Sequence, residues 1–439
     1  MSSILQQGAL GYWQRIRQFT PNSRKLIASN VTRSFGGGIS QTLFNLFLIS
    51  LGYSKTFIGG FMAFGAFSMA IFSLFLGPYV TRVGSKNALI LAILISFCTG
   101  TSQVGFPLAI VLLMTSGLQG ISSALTNVAF SPIMTENSTP YERTHLFGTS
   151  QSFSILSSFL GNILAGYLPG WIALTFFFPI DSAPSFQLAL IAYIVPIIIS
   201  IVPLIGVTEL GNKTINNSIT NSTMNNITQT SQVTQEPKGQ INLVLKFAIV
   251  NVFIGLGAGF VVPYLNVFFW EFYALPTPII GIIQGLGSLT LSAGVFLSPV
   301  LSTRIGKVRT VVLCQALSLP FLVLIAIIIN PFIAIICYLF RGVLMNATGP
   351  VDRTLRMELV PSNWRPNMSA VTGFSWNFPW AISTQLTGLL YDQGAYLIPF
   401  WFTLSCYSFS TLLYAIFFHN IEQHPSQNKD EKNRVTKPQ

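Results

Sequence analysis

Two arginines lie inside long apolar stretches of this chain, Arg341 near the middle of the run 332–357 and Arg33 near the start of the run 27–51. A guanidinium presents a planar fork of donors that matches a carboxylate or a phosphate, so both are candidate anion ligands. A charge near a bilayer centre costs from about 3 to more than 10 kcal/mol and faces a wet cavity or a partner. The flanking residues continue the polar character. Arg33, Gly37, Gln41 and Asn45 recur every four residues, and Arg341, Met345, Thr348, Asp352 and Arg356 follow the i, i+4, i+7, i+11 pattern of one helix face. Gln119, Ser122, Ser123, Thr126 and Asn127 give a third run a similar face. Other ligand chemistries remain open. Gln41, Gln119, Asn127 and Trp376 offer the amides and the stacking ring that suit a sugar, while Phe44, Phe130, Phe260, Trp376 and Trp380 would make an aromatic wall for drugs or other apolar compounds.

Bond-making chemistry is poorly provided for. His145, His419 and His424 fall at the margins of the apolar runs, Cys98, Cys314, Cys337 and Cys406 have no disulfide or metal spacing, and no glycine-rich phosphate loop with its lysine occurs. An enzyme, a metal and a cofactor are therefore not expected. Asp181, Glu271 and Asp392 sit between apolar runs, whereas Glu136, Asp352 and Glu358 lie toward the opposite ends. Asp352 is the candidate for coupling to H+ or Na+, with pairing to Arg356 one turn away as its structural alternative.

Positioning these residues requires a membrane architecture. With 51% hydrophobic and 8% charged residues, the chain has too little charge to cover a soluble surface. Runs long enough to cross about 30 Å of hydrocarbon at about 1.5 Å per residue lie near 27–51, 56–80, 87–105, 108–133, 146–168 and 185–206, then near 243–270, 278–302, 310–329, 332–357, 368–390 and 395–418. They lack period-two alternation, so the expected class is an all-α integral membrane protein with twelve transmembrane helices. With both termini cytoplasmic, Lys55 is the one basic residue in the outer loops, and the net charge of +11 follows the positive-inside bias rather than nucleic-acid binding. The flanks are read as a cytoplasmic interfacial segment over 1–26, with no signal peptide, and a cytoplasmic tail over 419–439. Residues 208–240 are a polar linker between bundles 27–207 and 241–418, in the cytoplasm, where its sequons at Asn212, Asn216, Asn221 and Asn226 are compositional accidents. A monomer in the cell membrane, with the lipid bilayer and a small-molecule substrate as partners, is the expectation.

The two bundles are copies. Thr81-Arg82-Val83-Gly84 returns as Thr303-Arg304-Ile305-Gly306 at a shift of 222 residues, and the same shift carries Gly59 to Gly281, Gly65 to Gly287, Gly120 to Gly342, Glu136 to Glu358, Arg143 to Arg365 and Gly166 to Gly388. Parallel repeats of this kind build secondary transporters with a site between the halves. The stretch from Gly77 through Arg82 and Gly84 to Lys86 resembles the signature between the second and third helices of the major facilitator superfamily, with Thr81 and Thr303 where the family has an acid. Ser157, Gly161, Asn162, Ala165 and Gly166 partly resemble an antiporter signature of that family in the fifth helix. The resemblance implies two parallel six-helix repeats and a central path lined by the first, fourth, seventh and tenth helices. It implies substrate contacts by Arg33, Gln41, Gln119, Asn127, Arg341 and Trp376, and gating by Gly77, Arg82, Gly84, Arg143, Arg304, Gly306 and Arg365. The implied activity is alternating-access transport of a small solute, an organic anion foremost. Drug efflux, a sugar permease and a nontransporting receptor are the alternatives.

Overall fold

The computed structural model describes residues 19–138, 143–207, 237–361 and 364–419, and every element among them is helical. The first bundle comprises α1 (Pro21–Ser50), α2 (Lys55–Val83), α3 (Ser85–Gly105), α4 (Ala109–Glu136), α5 (Arg143–Phe176) and α6 (Ala183–Ile205), the last interrupted at Leu190 and Ser200. The second comprises α7, built from Pro237–Val261, a 3-10 turn Val262–Tyr264 and Leu265–Glu271, then α8 (Thr277–Ile305), α9 (Lys307–Ile327), α10 (Pro331–Leu359), α11 (Arg365–Asp392) and α12 (Ile398–Phe418). Ten of these spans are long and apolar enough to cross a membrane by themselves. The exceptions are α1 and α11, which bury polar residues such as Ser29, Thr42 and Asn45, and Thr372, Ser383 and Thr387, against other helices. Hydropathy alone under-reads such segments, because their polar groups are satisfied by protein rather than presented to lipid.

Three expected boundaries move. Helix α1 begins at Pro21 rather than near residue 27, because Thr20 accepts a hydrogen bond from the Ser23 amide at 3.2 Å and Pro21 needs no amide partner at the first helical position. The last residues assigned to an interfacial segment thus belong to α1, and its first eighteen lie outside the described residues. Helix α5 continues through Pro169 to Phe176, which shortens the expected outer loop 169–184 to 177–182. Residues 237–240, counted as linker, form the first turn of α7, and the rest of the linker is outside the described residues.

The two bundles meet along α2 with α11 and α5 with α8, a pair of seams related by the repeat. Small residues set their spacing. A Cβ on Gly388 would fall on the Lys55 carbonyl and one on Gly281 on the Asn162 carbonyl, so these repeat-related seams close only over glycine. Gly84 (φ 89°) and Gly306 (φ 94°) end α2 and α8 with the same left-handed turn, the physical content of the repeated Thr-Arg-x-Gly stretch.

At the end of the molecule opposite Phe19 and His419, here the distal end, the bundles are clasped together. The Asp392 carboxylate accepts from the backbone amides of Lys55 and Thr56, each at 2.8 Å, and so caps the N-terminus of α2 from the other bundle. The Lys55 ammonium lies 2.9 Å from Glu271, which also accepts from the Tyr396 hydroxyl at 2.6 Å. Burial, aided by Glu271, raises the Tyr396 pKa and keeps it a donor. Tyr264 Oη donates to the Lys55 carbonyl at 2.6 Å. The repeat-related seam has a smaller version without a cation, in which Thr277 Oγ1 donates to Asp181 at 2.7 Å. Between them, Asn45 Nδ2 donates to the Pro263 carbonyl at 2.9 Å and Asn266 Nδ2 donates to the Thr42 carbonyl at 3.2 Å, so each asparagine holds the other bundle's backbone.

Candidate functional site

A cavity of about 1260 Å³ lies between the bundles. It stops at Gln41, Leu265 and Gln284, below the distal clasps, and reaches toward the end that carries the termini through Arg353, Arg356, Met357 and Ser369. Of the helices expected to line it, α1, α7 and α10 contribute most, whereas α4 contributes only Gln119. Helices α5, α8, α11 and α12 supply most of the rest, including Gln151, Ser158, Trp376, Trp380 and Tyr407, and α3, α6 and α9 add Ser96, Tyr193, Ile197 and Gln315.

Arg341 and Arg33 both open onto this space. Arg341 is 5% exposed, its guanidinium lies 5.6 Å from the Tyr407 ring centroid, and its Nη2 reaches the Tyr407 hydroxyl at only 3.5 Å. Its Nε is buried without a partner, and among the described residues no carboxylate pairs with it. Among the described residues this cation rests against the Tyr407 ring and little else. Arg33 donates Nη1 to Thr126 Oγ1 at 3.2 Å, which uses one of its five donors. Arg353 and Arg356 also line the cavity, and Asp352 is its one carboxylate among the described residues. Asp352 forms a salt bridge with Arg356 and accepts from the Tyr414 hydroxyl at 3.1 Å. The pairing anticipated as its structural alternative is therefore present, and Arg356 is neutralised locally. Four arginines facing one aspartate leave the wall strongly positive.

The remaining sequence-derived contacts divide. Gln41 and Trp376 line the cavity, and Trp376 is 36% exposed there. Gln119 lines it too, but its Oε1 accepts from Thr99 at 2.6 Å and its Nε2 reaches Ser96 at 3.3 Å, so its amide is largely committed to α3. Asn127 is exposed on α4 and lines no part of the cavity. Of the proposed aromatic wall, Phe44 and Phe260 are buried in the core, while Trp376 and Trp380 face the space. The glycines of α7 do not break it. Gly255, Gly257 and Gly259 admit Trp376, Tyr407 and Trp380, and the break falls at Pro263.

The gate candidates lie at the turns nearest the termini. Arg82 and Arg304 are exposed at the ends of α2 and α8. Arg365 Nε donates to the Met357 carbonyl at 3.1 Å, tying α11 to α10. Arg143 begins α5, and its side chain lies outside the described residues. Gly77 has open space where a Cβ would project, so no helix approaches it in this conformation. Lys86, by contrast, holds the carbonyls of Ile205 at 3.0 Å and Val207 at 2.6 Å, capping the C-terminus of α6. Sequence reasoning overlooked Tyr338, Tyr407, Gln151, Ser158 and Gln284. The spacing of Gln151, Ser154 and Ser158 at i, i+3 and i+7 was a readable signal, whereas single tyrosines in apolar helices carry none.

The family model described as Major Facilitator Superfamily matches residues 26–384. No curated protein matches the chain in sequence. Among solved structures, a D-xylose-proton symporter shares 14% identity at a TM-score of 0.67, with 89% of this chain and 96% of that one covered. A bacterial homologue of the iron transporter ferroportin in an inward-facing state shares 14% identity at a TM-score of 0.64, covering 90% of this chain and 97% of that one. A bacterial homologue of the human lysosomal transporter Spinster, inward-facing and occupied, shares 11% identity at 0.67, covering 91% of this chain and 95% of that one. At such identities the likeness shows the fold, and together with a family match spanning most of the chain it leads to one conclusion: this multi-pass membrane protein belongs to the major facilitator superfamily.

Proposed function

We propose that this protein is a secondary transporter that moves a small organic or phosphorylated anion by alternating access, with its substrate held in the cavity between the bundles. The observation that carries the reading is Arg341, a guanidinium 5% exposed, bordering the cavity and without a carboxylate partner among the described residues. Such a charge is costly in an apolar protein unless a ligand completes it, and Arg33 and Arg353 add unneutralised positive charge to the same wall. Both termini and the linker are assigned to the cytoplasm of a cell-membrane protein. The distal clasp then marks an outward seal and the cavity faces inward. Arg82, Arg143, Arg304 and Arg365 are assigned to the cytoplasmic gate together with Gly77, Gly84 and Gly306, and a monomer suffices for the cycle. Asp352 is assigned to its ion pair first, and to coupling with H+ or Na+ only through release of Arg356.

Uptake by the purified protein in liposomes tests this, with panels of organic anions, sugars and lipophilic dyes, each with and without an imposed proton or sodium gradient. Saturable uptake of an anion that is abolished by Arg341→Gln is expected. Transport of neutral sugars or dyes alone, unaffected by that substitution, would replace the anion reading. Accessibility of a tag in the 208–236 segment from outside intact cells would reverse the topology.

A further inference from the structure

Part of the cavity wall is built of amides and hydroxyls that bond to nothing else among the described residues. Ser34 and Gln41 on α1, Gln151 and Ser158 on α5, and Gln284 on α8 all face it, and none of these five side chains has a hydrogen-bond partner within the described residues. Each of the first two pairs is spaced i, i+7, which puts its members on one helix face two turns apart. The two faces adjoin, because a Cβ on Gly38 would strike the Ser158 carbonyl and one on Gly161 the Phe35 carbonyl. The result is a continuous patch of uncommitted amides and hydroxyls on one side of the cavity. Elsewhere on the wall, on α10, α11 and α12, stand Arg341 with Tyr338 and Tyr407, and the indoles of Trp376 and Trp380.

The amides discriminate between ligand classes. A path built for anions alone needs donors, and every amide oxygen facing it repels the ligand. Glutamine presents a carbonyl acceptor beside two donors, and serine both donates and accepts, which matches a ligand hydroxyl that itself does both. Indole faces suit the apolar face of a ring. Resting on the anion reading above, we propose that the solute is a hydroxylated ring carrying one anionic group, of the class of sugar acids and sugar phosphates. Its anionic group sits at Arg341, its ring lies against Trp376, and its hydroxyls meet Gln41, Gln151 and Ser158. Within this arrangement, Gln151 and Ser158 are specificity-determining and Arg341 binds charge.

Ligand-induced thermal stabilisation of the full-length purified protein tests the division, since a ligand that binds only the folded state raises the melting temperature by mass action. The probes are glucuronate, galacturonate and a hexose phosphate, against glucose, galactose and cyclohexanecarboxylate. At least one acidic sugar is expected to act at concentrations about tenfold or more below those needed for its neutral parent and for cyclohexanecarboxylate, because a site built to bond hydroxyls rejects analogues that lack them. Uronate against hexose phosphate tells which anion is preferred. In the Gln151→Leu/Ser158→Ala variant the advantage over cyclohexanecarboxylate should collapse, and in Arg341→Gln the advantage over the neutral sugar should collapse. Gln151→Asn serves as the conservative comparison, retaining part of the first advantage. If cyclohexanecarboxylate works as well as the acidic sugars, the hydroxyl patch plays no part while the anion reading stands. If glucose or galactose works as well, the anion reading falls too. Equal weakening of every probe by the α5 substitutions, or no stabilisation by any of them, overturns the proposal.

Discussion

Arg341 combines two properties that mutagenesis can separate, an unpaired charge that burdens the empty protein and a donor fork that would serve a ligand. Arg341→Gln is expected to weaken an anionic substrate by about 1.5–3 kcal/mol, the usual worth of hydrogen bonds to a charged group, and Lys to restore it only in part because it lacks the fork. The same substitution should raise the melting temperature of the ligand-free protein, since it removes a buried cation with no carboxylate partner among the described residues. Unchanged affinity, or a lower melting temperature, would mean that Arg341 is a packing residue. Asp352 invites the opposite experiment. Its side chain is 15% exposed and that of Arg356 17%, so Asp352→Asn strands a largely buried cation. A loss of about 1–3 kcal/mol of stability is expected, less than for a dry interior pair because the cavity admits water. Adding Arg356→Gln should recover most of it in a double-mutant cycle. Additive losses would show that the two residues are not coupled.

Among the elements, the helix ends carry the most specific sequence information. Gly84 and Gly306 adopt φ 89°, ψ 146° and φ 94°, ψ 161°, a region that side chains scarcely enter. Replacing either with Ala should cost about 1–3 kcal/mol in denaturation experiments, and by similar amounts in the two bundles. Gly77→Ala is the contrast. With nothing in the way of a Cβ there, it should leave the stability of this conformation within about 0.5 kcal/mol of the parent. Slower transport by Gly77→Ala at unchanged stability would then locate its close contact in the opposite conformation. The broken α7 follows another logic. Pro263 has no amide to donate, so the carbonyls of Gly259 and Phe260 one turn earlier accept from Thr384 and Thr387, while the carbonyl of Pro263 itself accepts from Asn45 of the other bundle. A helix break thus becomes a contact between halves.

For the whole molecule, the distribution of cross-bundle contacts defines its conformation. The charged cluster of Lys55, Glu271, Asp392 and Tyr396, the Thr277–Asp181 bond and the Asn45–Asn266 clasp all lie at the distal end, while Arg82 and Arg304 stand exposed at the other. Loss of Asp392 as a cap for α2 removes about 0.5–2 kcal/mol, an amount able to shift a two-state equilibrium severalfold. A combined Lys55→Met/Asp392→Asn variant is therefore expected to favour the state open at the distal end. Asn266→Cys, at a position 2% exposed, itself loosens the Asn45–Asn266 clasp, so it is compared with and without the other two changes, and should react faster with a membrane-impermeant thiol reagent from the distal side when they are present. No change in rate would show that the cluster does not hold the closed state.

The sequence by itself determined the membrane class, twelve helices, their order and their parallel repeat, because the length of an apolar run and the fixed needs of a tight turn are local properties. It also pointed to Arg33 and Arg341, since a charge in an apolar run is conspicuous without any knowledge of its neighbours. Helix ends were misjudged where a helix runs on through a proline, as at Pro169, or where a cap such as Thr20 started a helix early. What each polar residue does was decided only by the packing of the two bundles. Gln119, Gln41 and Asn127 have similar groups in similar helices. Yet α3 occupies the first, the cavity leaves the second free, and the third points away from the cavity. The clasp of Lys55, Glu271 and Asp392 joins residues more than two hundred positions apart, and their juxtaposition exists only once the repeats face each other.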